Sequence, residues 1–353
     1  MHFPGSATTA ARLAALGLVA IACVACGSSG TTSSAALTTS STSTTTTTTL
    51  SSAATTATGN TSATSVTSAD TTPLPGAGKP VITVGDKNYA EQFVLGQLYV
   101  QALRAQGYTV NVNQNIGPTD VTMQALKSGS LTVYPEYLNV FNTAIAGYRH
   151  GFKSLLDAYL GAQHYALGHG MQVLAPTPFS DTAAIAVTVA YAVQNHLRSI
   201  GDLDHLTTAL ALGGPPQFQQ STPGLPALTD TYGFVPLAYR PMAVGDQYAA
   251  LNNDVIQAAE VSTTDAQLAT GNYAVLRDPR RAFGWGNVIP VVSAKALAQE
   301  GPAFAETLQR VDNALTTPTI RQLNYAVSVA GLDPAAVARQ FLQTHGLLAP
   351  IPA

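Results

Sequence analysis

The chain has 353 residues, of which only 10% are charged, and its formal net charge is −3 at neutral pH. This weak charge, without a basic stripe that carries interleaved aromatic residues, argues against a nucleic-acid-binding protein. Beyond residue 26, no apolar run reaches the roughly 20 residues that a membrane-spanning helix needs.

The first 26 residues have the layout of an export signal. Arg12 precedes an apolar run of about ten residues, which is the length of a signal-peptide core and too short to span a bilayer. Cys26 follows small residues at the end of this run, as the lipidated cysteine of a bacterial lipoprotein does, and Cys23 is the alternative. Neither has Leu three positions earlier, so the match to a lipobox is imperfect, and two unlipidated thiols in a discarded peptide are the other interpretation. We predict lipidation at Cys26, with the acyl chains anchoring the protein to the outer face of a bacterial cell membrane.

Residues 27–79 consist mainly of Ser, Thr, Ala and Gly, with Thr at every position from 44 to 49. A segment without apolar periodicity cannot bury enough surface to offset the entropy lost on ordering. We therefore predict a disordered linker, which is also a candidate for O-glycosylation. No cysteine follows Cys26, so the folded part is expected to contain no disulfide.

The folded domain begins with alternating strands and helices. The predicted elements of its first part are a strand at 81–85, a helix at 93–103, a strand at 108–112, a helix at 119–128 and a short strand at 131–133. Strands and helices that alternate at this spacing predict βαβ units and a parallel sheet.

Two aromatic residues and a carboxylate, Tyr134, Glu136 and Tyr137, follow the short strand at 131–133. Pro135 has no amide hydrogen, so the strand is expected to end there. Ligands of open α/β sheets bind just beyond the carboxyl ends of strands. This stretch is therefore the predicted rim of a small-ligand pocket.

The second part of the domain repeats the pattern. Its predicted elements are a helix and an extended piece within 151–176, an alternating run at 184–189, a strand at 209–214, a helix at 225–233, a helical turn at 248–251, strands at 256–261 and 273–276, a return strand at 287–292 and three C-terminal helices. The last helix is expected to have Asp333 as its N-cap, Pro334 at its first position and Gly346 beyond its end. Two α/β lobes with the chain crossing between them predict a clamshell binding protein.

Several segments resemble, in the same order, the substrate-binding proteins of osmoprotectant ABC importers, which take up glycine betaine, choline, carnitine or proline betaine. The segments that carry the resemblance are 87–96 (KNYAEQFVLG), 125–137, 224–226, 232–234, 264–265, 286–292 (GNVIPVV) and 333–342. The resemblance implies an α/β periplasmic-binding-protein fold with a mostly parallel sheet in each of two lobes. It places lobe 1 at residues 80–182 plus 288–353, lobe 2 at residues 183–287, and the ligand between them.

The same resemblance implies a quaternary ammonium ligand, no cofactor, no metal and no catalysis, with an ABC permease and its ATPase as partners. A quaternary ammonium carries charge but no N–H, so ring faces hold it, each contributing about 0.5–2 kcal/mol. Tyr137 and Tyr248 match positions of the family's aromatic cage, and Tyr89 and Trp285 lie beside motif positions. A half-buried core tyrosine is the alternative for each Tyr, and a surface-packed loop residue is the alternative for Trp285.

Polar candidates for the ligand's other end lie at predicted turns and at the crossing between lobes. They are Asn88, Gln92, Thr119, Asp181, Thr182, Thr264 and Asp265. Helix capping is the alternative for the first three and is the favoured role of Thr119. A structural role at the hinge is the alternative for the other four.

Three positions depart from the family pattern. Ala183 and Ser262 stand where the family often has an aromatic residue, and Ser221 stands where Arg is common. Two aromatic rings of the cage are therefore expected to be missing. The protein is then expected either to bind a betaine weakly or to bind a different ligand.

Two other classes of protein compete with a transporter subunit. An enzyme is disfavoured, because the chain has no metal-binding His pair, nucleophile elbow, P-loop or dinucleotide fingerprint. A sensor or adhesion lipoprotein that kept the clamshell without a transporter stays an alternative, since the aromatic cage is depleted.

Overall fold

The computed structural model describes residues 73–206 and 210–351. The predicted export signal, the lipidation site at Cys26 and nearly all of the predicted linker lie outside these residues. Within the described part of the chain, no helix combines the length and the apolar character needed to cross a bilayer.

The chain first builds one sheet, then a second, and then returns to the first. The elements before the first crossing are β1 (Ile82–Gly85), α1 (Ala90–Ala105), β2 (Val110–Asn113), α2 (Thr119–Ser128), β3 (Val133–Tyr137), α3 (Leu138–Val140), α4 (Leu155–Leu167) and β4 (Met171–Val173). Those of the second sheet and its helices are β5 (Ala183–Thr188), α5 (Val189–Gln194), β6 (Ala211–Gly214), α6 (Leu225–Tyr232), β7 (Ala238–Pro241), α7 (Asp246–Asn252), β8 (Ala258–Ser262) and β9 (Tyr273–Val275). The return consists of β10 (Val288–Ser293), α8 (Ala294–Glu300), α9 (Pro302–Asn313), α10 (Thr317–Ser328) and α11 (Pro334–Thr344).

The two sheets have the same arrangement. Their strand orders are β2-β1-β3-β10-β4 and β7-β6-β8-β5-β9. In each sheet one strand, β10 or β5, runs antiparallel to both of its neighbours, and the other strands share one direction. These reversed strands are the ones by which the chain enters the second sheet and returns to the first. The predicted α/β fold with two lobes is confirmed; we call the lobe that contains β1 the first lobe and the other the second lobe.

Two hinge segments, residues 180–182 and 284–287, carry the chain between the lobes. They run side by side, with Ser180 bridged to Asn287 and the Asp181 amide donating to the Gly286 carbonyl at 2.9 Å. The Asn287 side-chain amide also donates to the Thr177 carbonyl at 2.9 Å. The hinge is therefore a hydrogen-bonded pair of extended segments.

Pro135 lies inside β3 and does not end it, so the predicted end of that strand was wrong. In the antiparallel register Pro135 faces Pro290 of β10. The Pro290 carbonyl accepts from the Leu174 amide on the β4 side, so the two prolines form a pair that exchanges no hydrogen bonds across β3 and β10. On its other side, β3 pairs with β1 only at Val133. No neighbouring strand therefore needs the amide hydrogen that Pro135 lacks.

Alternate residues of β3 pack into different apolar cores on the two faces of the first sheet. Val133 and Tyr137 pack toward α1 and the C-terminal helices, whereas Tyr134 packs toward α2 and α4. This follows from the period of two along a strand. The Tyr137 ring consequently lies on the face of the sheet that α1 covers.

Helix α11 begins as predicted, with the Ala336 amide donating to the Asp333 side chain at 3.0 Å and Pro334 at its first position. Four helices follow β10, not the three predicted, because Gly301 with φ near +82° separates α8 from α9. Helix α10 contacts both α1 of the first lobe and the turn Ala266–Thr270 of the second lobe. It thus connects the two lobes by residues that are distant in sequence from the hinge segments.

Candidate functional site

A buried carboxylate of the first lobe is joined by hydrogen bonds to the second lobe. Glu91 lies in the first turn of α1, and its Oε1 accepts from the Tyr137 hydroxyl at 2.8 Å. Its Oε2 accepts from the Asn324 side-chain amide at 2.7 Å, and the same amide nitrogen donates to the Thr264 carbonyl at 2.9 Å. We call the set Glu91, Tyr137, Asn324 and Thr264 the lobe junction.

The tyrosine that the sequence ranks first lies at this junction, but its ring is covered. Tyr137 is 4% exposed, whereas its neighbour Tyr89 is 39% exposed. The two rings are stacked, with centroids 6.1 Å apart and planes inclined by 24°. The Lys87 ammonium stands 5.8 Å from the Tyr137 centroid. Tyr89 therefore presents the accessible ring of the pair in this conformation.

The carboxylate predicted to lie on the rim, Glu136, is fully buried and is already neutralised. The Lys87 ammonium pairs with its Oε1 at 2.5 Å and also donates to the Thr119 hydroxyl at 2.9 Å. Burial raises the pKa of Glu136, and the Lys87 charge opposes that rise. Glu136 and Thr119 thus hold Lys87, and Thr119 does not cap α2, which has no side-chain cap.

Asn88 and Gln92 do not cap α1 either, since no described side chain caps that helix. Asn88 is exposed. Gln92 is fully buried; its Oε1 accepts from the Lys87 amide at 3.4 Å, and its Nε2 has no partner among the described residues. The Gln92 side-chain nitrogen is therefore a buried hydrogen-bond donor beside Lys87 that has no partner among the described residues.

On the second-lobe side, four predicted residues meet at the end of β8. The Ser262 hydroxyl donates to Asp181, and the Ser262 amide donates to Asp265 Oδ2 at 3.1 Å. The Tyr248 hydroxyl also donates to Asp265 Oδ2, at 2.7 Å. The Thr264 amide donates to the Ser262 hydroxyl at 3.2 Å. Tyr248 is only 5% exposed, so its ring is packed and its hydroxyl is bonded to a carboxylate.

Several carboxylates gather at this place. Burial raises the pKa of Asp265 and the Arg321 charge opposes that rise, but Arg321 forms no ion pair among the described residues. Burial is the largest cause that raises the pKa of Glu91 and of Asp181, and the charge of Asp181 further raises the pKa of Glu91. Burial, then the charges of Asp265 and Asp181, raise the pKa of Glu260 to about 7. Among the described residues the one ion pair joins Lys87 to Glu136. A bound cation would therefore relieve these carboxylates.

The two positions that lack an expected aromatic residue face each other. Ala183 and Ser262 are cross-strand partners in β5 and β8. The Thr263 amide donates to the Thr182 carbonyl at 2.9 Å, so the adjacent Ala183–Ser262 pair is one that exchanges no ladder hydrogen bonds. Side chains of such pairs stand closest together and on one face. The two replacements therefore lie side by side on one face of the second sheet.

Two predicted residues have other contacts. The Trp285 indole donates to the Phe152 carbonyl at 3.2 Å, and the Arg281 guanidinium covers its ring at 4.3 Å. Thr182 belongs to a hinge segment, where its amide donates to the Thr263 hydroxyl at 3.1 Å. The described contacts do not bring either side chain together with the Tyr89–Tyr137 pair.

Sequence reasoning missed Glu91 and Asn324. Glu91 is a common residue in the first turn of a helix, and Asn324 lies on an amphipathic helix, so neither residue type signals a junction. Asn324 could have been found from its position on the apolar face of α10, beside Ile320 and Leu323. A polar side chain buried on such a face needs a hydrogen-bond partner.

A model of the family described as "Substrate binding domain of ABC-type glycine betaine transport system" matches residues 80–344. The glycine-betaine-binding protein of Pseudomonas aeruginosa is 30% identical over 281 residues, which cover 76% of this chain and 88% of that protein. The glycine betaine-binding protein YehZ of Escherichia coli is 31% identical over 288 residues, covering 77% of this chain and 93% of that protein.

A solved structure of a glycine betaine/carnitine/choline ABC transporter protein has a TM-score of 0.71 with this chain at 22% identity. The match covers 76% of this chain and 99% of that chain. The fold described above is thus shared with that chain.

Proposed function

Because the chain belongs to the family of substrate-binding domains of ABC-type glycine betaine transport systems, we propose that it captures a quaternary ammonium compatible solute between its lobes. The solute is glycine betaine or a close relative, and the protein delivers it to an ABC permease that works with an ATPase. The family consists of extracytoplasmic binding proteins, not enzymes.

The observation that carries this proposal is the convergence of two tyrosine rings with the carboxylates of Glu91 and Asp181 where the lobes meet. Neither carboxylate forms an ion pair among the described residues. The Tyr137 hydroxyl reaches Glu91, the Tyr89 ring covers Tyr137, and the charge of Asp181 acts on all three residues. A cation needs a negative potential, and one without N–H groups also needs ring faces. Hinge motion would uncover the Tyr137 face for the solute and close it again.

The direct test is titration calorimetry of the full chain with glycine betaine, choline, carnitine and proline betaine. We expect at least one of these solutes to bind and Tyr137→Ala to weaken its binding at least tenfold, about 1.4 kcal/mol. Tyr159→Ala is a matched control, because Tyr159 is a half-buried tyrosine that bonds the Val173 carbonyl in the first lobe. Unchanged binding by Tyr137→Ala, with the fold intact, would show that the pocket lies elsewhere.

A second candidate ligand class is supported by the Ala183–Ser262 pair. Two small side chains in place of two rings suit another small zwitterion or polar solute, which an orphan sensor lipoprotein would bind. Binding of such a zwitterion together with no response to all four quaternary amines would favour this candidate. Whether a permease gene and an ATPase gene lie beside this gene separates a transporter subunit from an orphan sensor.

A further inference from the structure

A cavity of about 400 Å³ lies beside the hinge segments, on the second lobe. One wall is the start of β5 at residues 182–184, and the other is the chain that follows β9, with Arg277, Arg281 and Gly284. Its volume is within the range of small-molecule sites. Neither arginine takes part in the hydrogen bonds of the lobe junction.

The lining is electropositive. Arg277 and Arg281 both line the cavity, and neither forms an ion pair within the described part of the chain. The one carboxylate in the lining, Asp278, is committed to structural bonds. Its Oδ1 accepts from the Tyr232 hydroxyl at 2.6 Å and its Oδ2 accepts from the Phe283 amide at 3.2 Å. Asp278 therefore holds its own loop in shape and is not bonded to either guanidinium.

Both guanidinium groups are exposed, and their contacts leave most of their donors free. Arg281 stacks on Trp285, with its guanidinium carbon 4.3 Å from the ring centroid. Its backbone φ of +57° lies in the left-handed region, which few residues with a side chain adopt. Arg277 Nε donates weakly to the Arg198 carbonyl at 3.4 Å. A guanidinium has five N–H donors, so several remain for a bound group.

A backbone donor faces the same cavity. The Ile185 carbonyl of β5 accepts from the Leu276 amide at 2.8 Å, which fixes the side of β5 on which that chain lies. Amides on alternate residues of a strand point to the same side, so the Ala183 N–H points there too. The pairing of β5 with β9 covers residues 186–188 only, so among the described strands none pairs with Ala183 on that side.

We propose that this cavity is a binding site for a small oxyanion, a carboxylate or a phosphate, held by Arg277, Arg281 and the β5 edge. Planar guanidinium groups bind carboxylate and phosphate oxygens in pairs. None of the four lobe-junction residues lines this cavity, and the two sites require opposite ligand charges.

The test is titration calorimetry of the full chain with inorganic phosphate and with citrate, with potassium chloride at matched ionic strength as the reference. We expect saturable binding of at least one anion and a loss of at least tenfold in the double variant Arg277→Gln/Arg281→Gln. Arg280→Gln is the matched control, because its guanidinium lies over Tyr232 and donates to the Thr231 carbonyl, and it does not line the cavity. It should bind within twofold of the unmodified chain.

Two outcomes would overturn the site. One is no saturable binding of either anion, whether or not phosphatidylglycerol vesicles bind, and the other is an equal loss in Arg280→Gln. Should the double variant fail to fold, the single variant Arg277→Gln replaces it, because a substitution of that exposed side chain should not disturb the fold. We expect this single variant to lose at least threefold in anion affinity. Glycine betaine binding by the same variants reports on the solute site independently.

Discussion

At the scale of single residues, the solute site depends on the hydrogen bond from the Tyr137 hydroxyl to Glu91. We expect Tyr137→Phe to keep the ring and to weaken solute binding severalfold, because Glu91 loses a donor that favours its charged form. Tyr99→Phe is the matched control, since its hydroxyl donates to buried Asp312 at 2.7 Å within the first lobe. Both variants should lose about 1–3 kcal/mol of unfolding free energy in urea titrations. Equal effects of the two variants on solute affinity would contradict a role for Tyr137 at the site.

The residues of the site were predictable only where a side chain has a distinctive chemistry. Tyr137 and Asp265 stood out as a ring and a carboxylate within motif segments, and the structure places both near the meeting of the lobes. Whether they contact the solute stays a prediction. Glu91 was hidden, because a buried acid and a solvated helix residue look alike in sequence. The contact of Thr119 with Lys87, made in place of a helix cap, depends on a tertiary ion pair that local sequence does not encode.

At the scale of elements, α10 joins the lobes through Asn324 and through Arg321, whose Nε donates to the Thr263 carbonyl at 2.7 Å. We expect Asn324→Ala to destabilise the protein by about 1–3 kcal/mol, because it leaves Glu91 and the Thr264 carbonyl without their shared donor. Urea unfolding measures this loss. Asn313→Ala on the exposed end of α9 should change stability by less than about 0.5 kcal/mol. A small loss in Asn324→Ala would mean that α10 does not connect the lobes energetically.

The elements themselves were largely predictable, because alternating apolar residues and Gly stops mark strands and helix ends locally. The reversed direction of β5 and β10 was not, since strand direction depends on how distant segments pair. Pro135 is the clearest example of this limit. A proline interrupts a strand unless the residue opposite it requires no hydrogen bond from its amide. Here the opposite residue is Pro290.

At the scale of the whole molecule, the predicted anchor determines where the protein works. We expect Cys26→Ala to move the protein from the membrane fraction to the soluble fraction, since the predicted acyl chains would be attached at that residue. Cys23→Ala is the matched control and should stay in the membrane fraction. Fractionation and immunoblotting measure the distribution. The reverse result would place lipidation at Cys23, and no change in either variant would remove the anchor from the proposal.

The carboxylates near the lobe junction also make the whole molecule sensitive to pH. Burial and the neighbouring charges of Asp265 and Asp181 raise the pKa of Glu260 from 4.5 to about 7. The folded state therefore holds a proton that the unfolded state releases, so this contribution to stability is full below pH 4.5 and is lost as pH rises through about 7. A cation favours the ionised form, so solute affinity should rise over the same window.

We expect the midpoint of thermal unfolding without solute to fall between pH 5 and pH 8, by roughly 2–4 °C for each kcal/mol lost. Calorimetry with the bound solute should show tighter binding at pH 8 than at pH 5.5. Glu260→Gln should flatten both dependences, because its amide does not titrate, whereas Glu306→Gln, an exposed residue of α9, should leave them unchanged. Affinity that is independent of pH in the unmodified chain would mean that the solute does not interact with this group of carboxylates.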